Sequence, residues 1–276
     1  MPEGPEIRRA ADRLEKAVAG QRAERVRFGQ EHLAPFEEQL SGRKVLSIRP
    51  RGKAMLTRFE GDLFLYSHNQ LYGRWMTCAP GKLPATTRSL RVAIETPKRW
   101  ALLYSASDID VLREDELDLH PFLSRLGPDL LDPGTTPQRL RRRLLDQRFA
   151  RRSLGGLLMD QGFVAGIGNY LRSEILFFAG LPPEVRPCDL DEDELGLLSR
   201  TMREVIRRSY RTGGTTELAE VAREAKAAGQ PRRYWRHAVF NHRNRPCRRC
   251  GDTIERREVG SRQLYQCPTC QPPWVG

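Results

Sequence analysis

Lysine is scarce in this sequence: Lys16, Lys44, Lys53, Lys82, Lys98 and Lys226 are six of the 47 basic residues, and the rest are arginine. No apolar run approaches the roughly 18 to 20 residues of a membrane span, so a membrane is not expected as a partner. The first residues, with Arg8, Arg9, Asp12, Arg13, Glu15 and Lys16 set among the apolar ones, lack the apolar stretch of a secretory signal. Cysteine is sparse as well. Four of the six cysteines form two Cys-x-x-Cys pairs while Cys78 and Cys188 stand alone, a usage that argues against a disulfide framework and for a reducing, cytoplasmic setting. What the chain has in excess is positive charge: 47 Lys plus Arg against 35 Asp plus Glu, a net charge of +12. Such an excess favours a polyanionic partner, nucleic acid first, and guanidinium groups suit bidentate contact with phosphate. With 276 residues, 39% of them hydrophobic, the chain has material for about two folded domains.

The apolar residues Ile7, Ala10, Ala11, Leu14 and Val18 recur at helical spacing and end at Gly20, which predicts an amphipathic helix over 5–19. From about 22 to 112 the pattern becomes short β-rich runs, among them Ala54–Phe59, Leu63–Tyr66, Arg91–Glu95 and Trp100–Tyr104. This reads as a β-sandwich or partly closed barrel with the leading helix packed on it, an N-terminal domain over 1–120. Pro and Gly punctuate 121–134, the expected hinge. Helices are expected near 137–146, 153–161, 169–179 and 191–211, the last with Asp191 and Glu194 in capping-box spacing. The whole is therefore α+β. Residues 212–235 give no clear pattern, and a mobile loop there is one reading.

In the final segment, 236–276, Cys247, Cys250, Cys267 and Cys270 follow the spacing C-x2-C-x16-C-x2-C. Two such turns can each aim two thiolates at one tetrahedral ion, and a segment this short has too little core to fold unaided. One structural Zn2+ is expected, since two matched pairs are hard to explain by redox chemistry. Between the pairs, Thr253–Val259 and Gln263–Gln266 read as a β-hairpin whose turn, Gly260-Ser261-Arg262, carries a cation able to reach a groove or a phosphate.

The N-terminus reads Met1-Pro2-Glu3-Gly4-Pro5-Glu6. Removal of Met1 would leave Pro2 with a secondary α-amine whose pKa of roughly 8 keeps it more often unprotonated than lysine at neutral pH. Glu3 and Glu6 flank it as proton-transfer groups. Taken with Arg51-Gly52-Lys53, Tyr66 through Gly73, Asp160-Gln161, Gly166-Ile167-Gly168-Asn169-Tyr170 and the four cysteines, this start resembles the formamidopyrimidine-DNA glycosylase/endonuclease VIII family. The matches run in family order from residue 2 to residue 270, and Gly4-Pro5 with Gln70-Leu71-Tyr72 resembles the bacterial endonuclease VIII branch more.

The resemblance implies an enzyme of base excision repair, a bifunctional DNA glycosylase and AP lyase acting on double-stranded DNA that contains oxidised bases or abasic sites. Pro2 matches the nucleophile that attacks C1′ and holds the sugar as an imine until β,δ-elimination cuts the strand. Glu3 matches the acid/base catalyst, and Glu6 a second carboxylate of the catalytic region. Lys53 matches a lysine required for the glycosylase step. Gln70, Leu71 and Tyr72 match a wedge that fills the duplex where the lesion is flipped out. Asn169, in a helix-two-turns-helix domain over 135–235, and Arg262, in a zinc finger over 236–276, match phosphate contacts, and Arg262 is counted with the catalytic set. A monomer associated with the bacterial nucleoid is the family default. An oxidised-purine glycosylase and a non-catalytic DNA-binding zinc protein stand as alternatives.

Overall fold

The leading helix, α1, spans Gly4–Val18 in the computed structural model, which describes residues 2–274. Pro5 lies in its first turn, where N–H groups have no intrahelical acceptor, and the Glu6 carboxylate accepts the Glu3 N–H at 3.1 Å. Ile7, Ala10, Ala11, Leu14 and Val18, the predicted apolar stripe, are all buried. Burying a side chain such as Leu14 stabilises by about 1.5–3 kcal/mol.

Contacts divide the chain into two compact units that meet in sequence at Arg125 and Leu126. In the first unit eight strands follow α1: β1 (Arg25–Phe28), β2 (Val45–Arg51), β3 (Ala54–Phe59), β4 (Leu63–His68), β5 (Arg74–Cys78), β6 (Leu90–Glu95), β7 (Trp100–Tyr104) and β8 (Asp108–Arg113). A short helix, α2 (Phe36–Leu40), lies between β1 and β2. The strands form two antiparallel four-stranded sheets, ordered β1-β6-β7-β5 and β2-β3-β4-β8. Val26, Ile94 and Leu103 from one sheet, Ile48, Met55, Leu65 and Ile109 from the other, and Ile7 and Leu14 of α1 share one core, so the expected sandwich with its helix is what forms.

The second unit holds α3 (Pro137–Leu144), α4 (Leu154–Leu157), α5 (Asn169–Ala179), α6 (Glu192–Thr212), α7 (Ala219–Ala227) and the hairpin β9 (Glu255–Val259) with β10 (Arg262–Gln266). Asp191 caps α6 by accepting the Glu194 N–H at 2.8 Å, as its spacing implied. Three expectations need correction. The helix expected over 153–161 stops at Leu157, and the Asp160 side chain then accepts the Gly162 N–H at 2.7 Å in a turn. Residues 212–235, without a clear pattern in the sequence, contain α7 and a short 3-10 turn, Arg232–Tyr234. The boundary between the two units falls inside 121–134, and the helical side of that stretch is tied down: Gly127 N–H donates to the Gln161 carbonyl at 2.8 Å, and Leu130 is fully buried. The zinc segment, read from sequence as a separate domain, packs into the helical unit: Leu264 of β10 joins its core, and Phe177 of α5 lies with Val239, Cys247, Ile254, Tyr265 and Cys267.

Candidate active site

Pro2 is partly exposed, immediately before the buried Glu3 (3% exposed), and α1, which they precede, packs along β2 and β3. Those two strands are joined by the two-residue turn Gly52-Lys53, in which Gly52 has φ 61°, the left-handed first position that favours glycine. Lys53 is 6% exposed, and its charge bears on His68, which pairs with Ala54 across β3 and β4. A buried ammonium in a strand-joining turn and a buried carboxylate at a helix start are both unusual, since such groups are normally solvated.

The next turn, from His68 to Arg74, presents apolar side chains to solvent. Leu71 is 62% and Tyr72 70% exposed, although Trp75 and Tyr66 on either side are buried. The backbone enforces this. Gly73 N–H closes on the Asn69 carbonyl at 2.7 Å, Gln70 sits at φ 49°, and Arg88 holds the Tyr72 carbonyl at 2.6 Å. A Cβ on Gly73 would come within 2.5 Å of the Asn69 carbonyl oxygen, so only glycine closes the turn. The Gln70 amide oxygen accepts the Ser107 hydroxyl at 2.9 Å.

In the second unit Asn169 is the first residue of α5, with Gly168 as the N-cap. Its side chain is engaged on both sides: Nδ2 donates to the Gln263 carbonyl at 2.6 Å, and Oδ1 accepts from Arg172 at 2.7 Å. Arg262 is the first residue of β10 and pairs with Val259; the turn itself is Gly260-Ser261, both left-handed at φ 58° and 56°. The sequence had Arg262 inside that turn, one residue too early in the hairpin. Its side chain is exposed.

Two charged residues of α5 escaped the sequence reading. Arg172, 1% exposed, donates to the carbonyls of Gly155 (3.0 Å) and Val259 (3.2 Å), so it ties α4 to the zinc hairpin. Glu174, fully buried, accepts the backbone N–H groups of Ala238 (2.8 Å), Val239 (2.9 Å) and Phe240 (2.9 Å) and the Thr216 hydroxyl. No local pattern marks them: α5 is buried on nearly every side, Arg172 and Glu174 included, and that burial is set by the fold. Beside them His237 is held neutral, its pKa lowered to about 2 by burial and, less strongly, by Arg236.

The four predicted zinc cysteines converge, with all their sulfur atoms within 4.8 Å of one another. Cys247 and Cys270 are 3.9 Å apart and Cys250 and Cys267 3.4 Å. A tetrahedral ion with Zn–S bonds of about 2.3 Å sets its sulfurs about 3.8 Å apart, so the set fits one Zn2+. Four thiolates leave no open position for water, and the site is structural.

Family models match in sequence order: the formamidopyrimidine-DNA glycosylase N-terminal domain over residues 1–106, the formamidopyrimidine-DNA glycosylase H2TH domain over 126–220, and the zinc finger found in FPG and IleRS over 245–273. Endonuclease 8 of Pectobacterium atrosepticum is 49% identical over 98% of this chain and 100% of its own length, and Endonuclease 8 of Escherichia coli is 48% identical over the same shares. Among solved structures, Lactococcus lactis Fpg in complex with N7-benzyl-Fapy-dG DNA aligns with a TM-score of 0.81 at 20% identity, covering 99% of this chain and 100% of that one. Its complex with abasic-site DNA aligns at 0.80 and 21%, over 98% and 100%. With near-half identity along its whole length, the chain belongs to the formamidopyrimidine-DNA glycosylase/endonuclease VIII family.

Proposed function

We propose that this chain is a bifunctional base-excision-repair enzyme, a DNA glycosylase and AP lyase that removes oxidised bases, mainly pyrimidines, from double-stranded DNA. The observation that carries the reading is the buried carboxylate of Glu3, joined directly to Pro2, whose nitrogen becomes a secondary amine once Met1 is removed, at the start of a helix packed against the strands whose turn bears the buried Lys53. In this reading the Pro2 nitrogen attacks C1′, the bond from C1′ to the base breaks, and Glu3 serves as the proton-transfer group. The resulting imine activates the sugar for β- and then δ-elimination. Glu6 holds the Glu3 backbone N–H and so steadies the catalytic end of α1. Lys53 supports the glycosylase step beside the lesion phosphate.

Leu71 and Tyr72, exposed on a turn closed from within, suit a wedge that replaces the stacking lost when a base is everted, a cost of a few kcal/mol. Asn169 and Arg262 are assigned to backbone phosphate, and Arg262 also to the elimination steps. We further assign the protein to the bacterial cytoplasm, as a monomer associated with the nucleoid. Among the described residues no helix is long and apolar enough to cross a membrane.

Borohydride trapping tests the proposal. Mature protein incubated with a thymine glycol duplex and reductant should yield a covalent complex that Pro2→Gly abolishes and Lys53→Ala diminishes. Undiminished trapping by the Pro2 variant would move the nucleophile to a lysine. Absence of trapping with this duplex and with an abasic duplex would favour a DNA-binding zinc protein without catalysis. Faster excision of oxidised guanine than of thymine glycol would favour an oxidised-purine enzyme.

A further inference from the structure

His68, the last residue of β4, has no part in the reading above, yet it holds the base of the exposed turn. Its Nδ1 accepts the N–H of Gln70 at 3.3 Å. Gln70 is the left-handed residue of the turn, at φ 49°, a conformation that a residue other than glycine keeps only when its surroundings hold it there. The imidazole is itself clamped. Its ring lies against Phe122 with centroids 5.1 Å apart, and Phe122 also meets Tyr66 at 6.2 Å. Phe122 is fixed in turn by His120, whose Nδ1 accepts the Phe122 N–H at 3.2 Å, whose Nε2 meets Asp110 at 3.2 Å, and whose ring lies 4.2 Å from that of Tyr66.

We propose that His68 is a positioning residue: through its Nδ1 acceptor, and braced by Phe122, it holds the 69–73 turn in the posture that projects Leu71 and Tyr72. The proposal rests on the wedge role assigned above. The imidazole must be neutral at Nδ1 to accept. Burial lowers its pKa and opposes Asp108, while Lys53 adds to the effect of burial. Asp108 lies 3.9 Å from Nδ1, so a proton there would convert the acceptor of Gln70 N–H into a donor toward Asp108. The side chain that restrains the turn is thus anchored to His120 and Phe122, just ahead of the boundary between the two units.

Two near-isosteric variants separate this role from any contact made by the far nitrogen. In His68→Asn the amide oxygen can take the position of Nδ1 and accept from Gln70, whereas His68→Gln carries its amide out to the position of Nε2. Both would be compared with wild type as full-length zinc-loaded protein, in single-turnover cleavage of a thymine glycol duplex and of the same duplex with a preformed abasic site. Loss of one hydrogen bond predicts about a fivefold fall in thymine glycol excision for His68→Gln. Abasic-site cleavage should stay within about twofold, and His68→Asn should retain near-wild-type rates on both duplexes. Amide hydrogen exchange at residues 70–73 should accelerate in the Gln variant and not in the Asn variant. That readout needs no DNA, so it tests the positioning role even if the repair reading itself fails on wild type. Unchanged exchange in the Gln variant, a better-behaved Gln than Asn, or equal loss on both duplexes would each overturn the proposal.

Discussion

Removing the Glu174 carboxylate should unfold the second unit at markedly lower temperature, by an amount that its hydrogen bonds allow to be worked out. The side chain is fully buried and is the acceptor for three backbone N–H groups and one hydroxyl. Glu174→Ala leaves those donors facing a cavity. An orphaned buried donor costs about 1–3 kcal/mol, and partial relaxation of the 238–240 backbone should bring the total to about 3–5 kcal/mol. For a unit of this size each kcal/mol lowers the melting temperature by about 2–4 °C, so the fall should be roughly 6 to 20 °C. Glu174→Gln preserves the shape and one oxygen, which can go on serving Val239 and Phe240 through the site of Oε1. Its amide NH2 then confronts the Ala238 N–H, a donor against a donor, at a cost of about 1–3 kcal/mol. Thermal and urea unfolding at fixed free zinc should therefore order the proteins wild type, Gln, Ala. Identical stability of wild type and Gln, or of Gln and Ala, would refute the idea that the carboxylate is held for its acceptors.

Three further outcomes are expected. A Cβ at Gly155 would meet Pro183 at 2.9 Å and Val259 at 3.0 Å, so Gly155→Val should destabilise the second unit by about 1–3 kcal/mol, and an unchanged urea midpoint would contradict the close approach drawn there. Cys250→Ser should release zinc and expose the Phe177 cluster to a hydrophobic dye, whereas full metal retention by elemental analysis would refute four-thiolate ligation. Since the pKa of His237 is lowered to about 2, its contribution is complete above the unfolded value of about 6.5 and declines as pH falls from there toward 2. His237→Gln should therefore flatten the loss of stability between pH 7 and 5, and an unaltered pH slope would show that the ring is protonated in the native state.

How much of this was legible depended on the range of the interactions involved. Strand β7 and helix α5 fall on the residues that periodicity gave them, because local pattern and burial agree there. The Asp191 cap was equally plain, since both partners lie three residues apart. The zinc set was readable because its chemistry is encoded in spacing. By contrast, Arg172 and Glu174 find partners 17 to 91 residues away in sequence, and no local window announces them. Helix α7 was hidden behind Gly213 and Gly214, which read as loop, although they do no more than turn the chain after α6. The position of Arg262 depended on one residue of register: the left-handed Gly260 and Ser261 complete a two-residue turn, so the cation begins the strand instead. At the N-terminus, Pro2 and Glu3 were identifiable by resemblance, while the burial of Glu3 and Lys53 became visible only in the fold.

The seating of the zinc knuckle on α5 has a thermodynamic corollary. Phe177 of that helix shares its packing with Cys247 and Cys267, while the Gln263 carbonyl of the same hairpin receives the Asn169 side chain. Metal binding and the ordering of the helix start are therefore linked functions, and free zinc acts on the folded unit as an effector. While free zinc exceeds its dissociation constant the folded state loses about 1.4 kcal/mol for every tenfold fall in free zinc, and the loss levels off below that constant. Zinc starvation would then be felt first as a graded loosening around Asn169, at metal levels where the first unit, with its own core, is still fully folded.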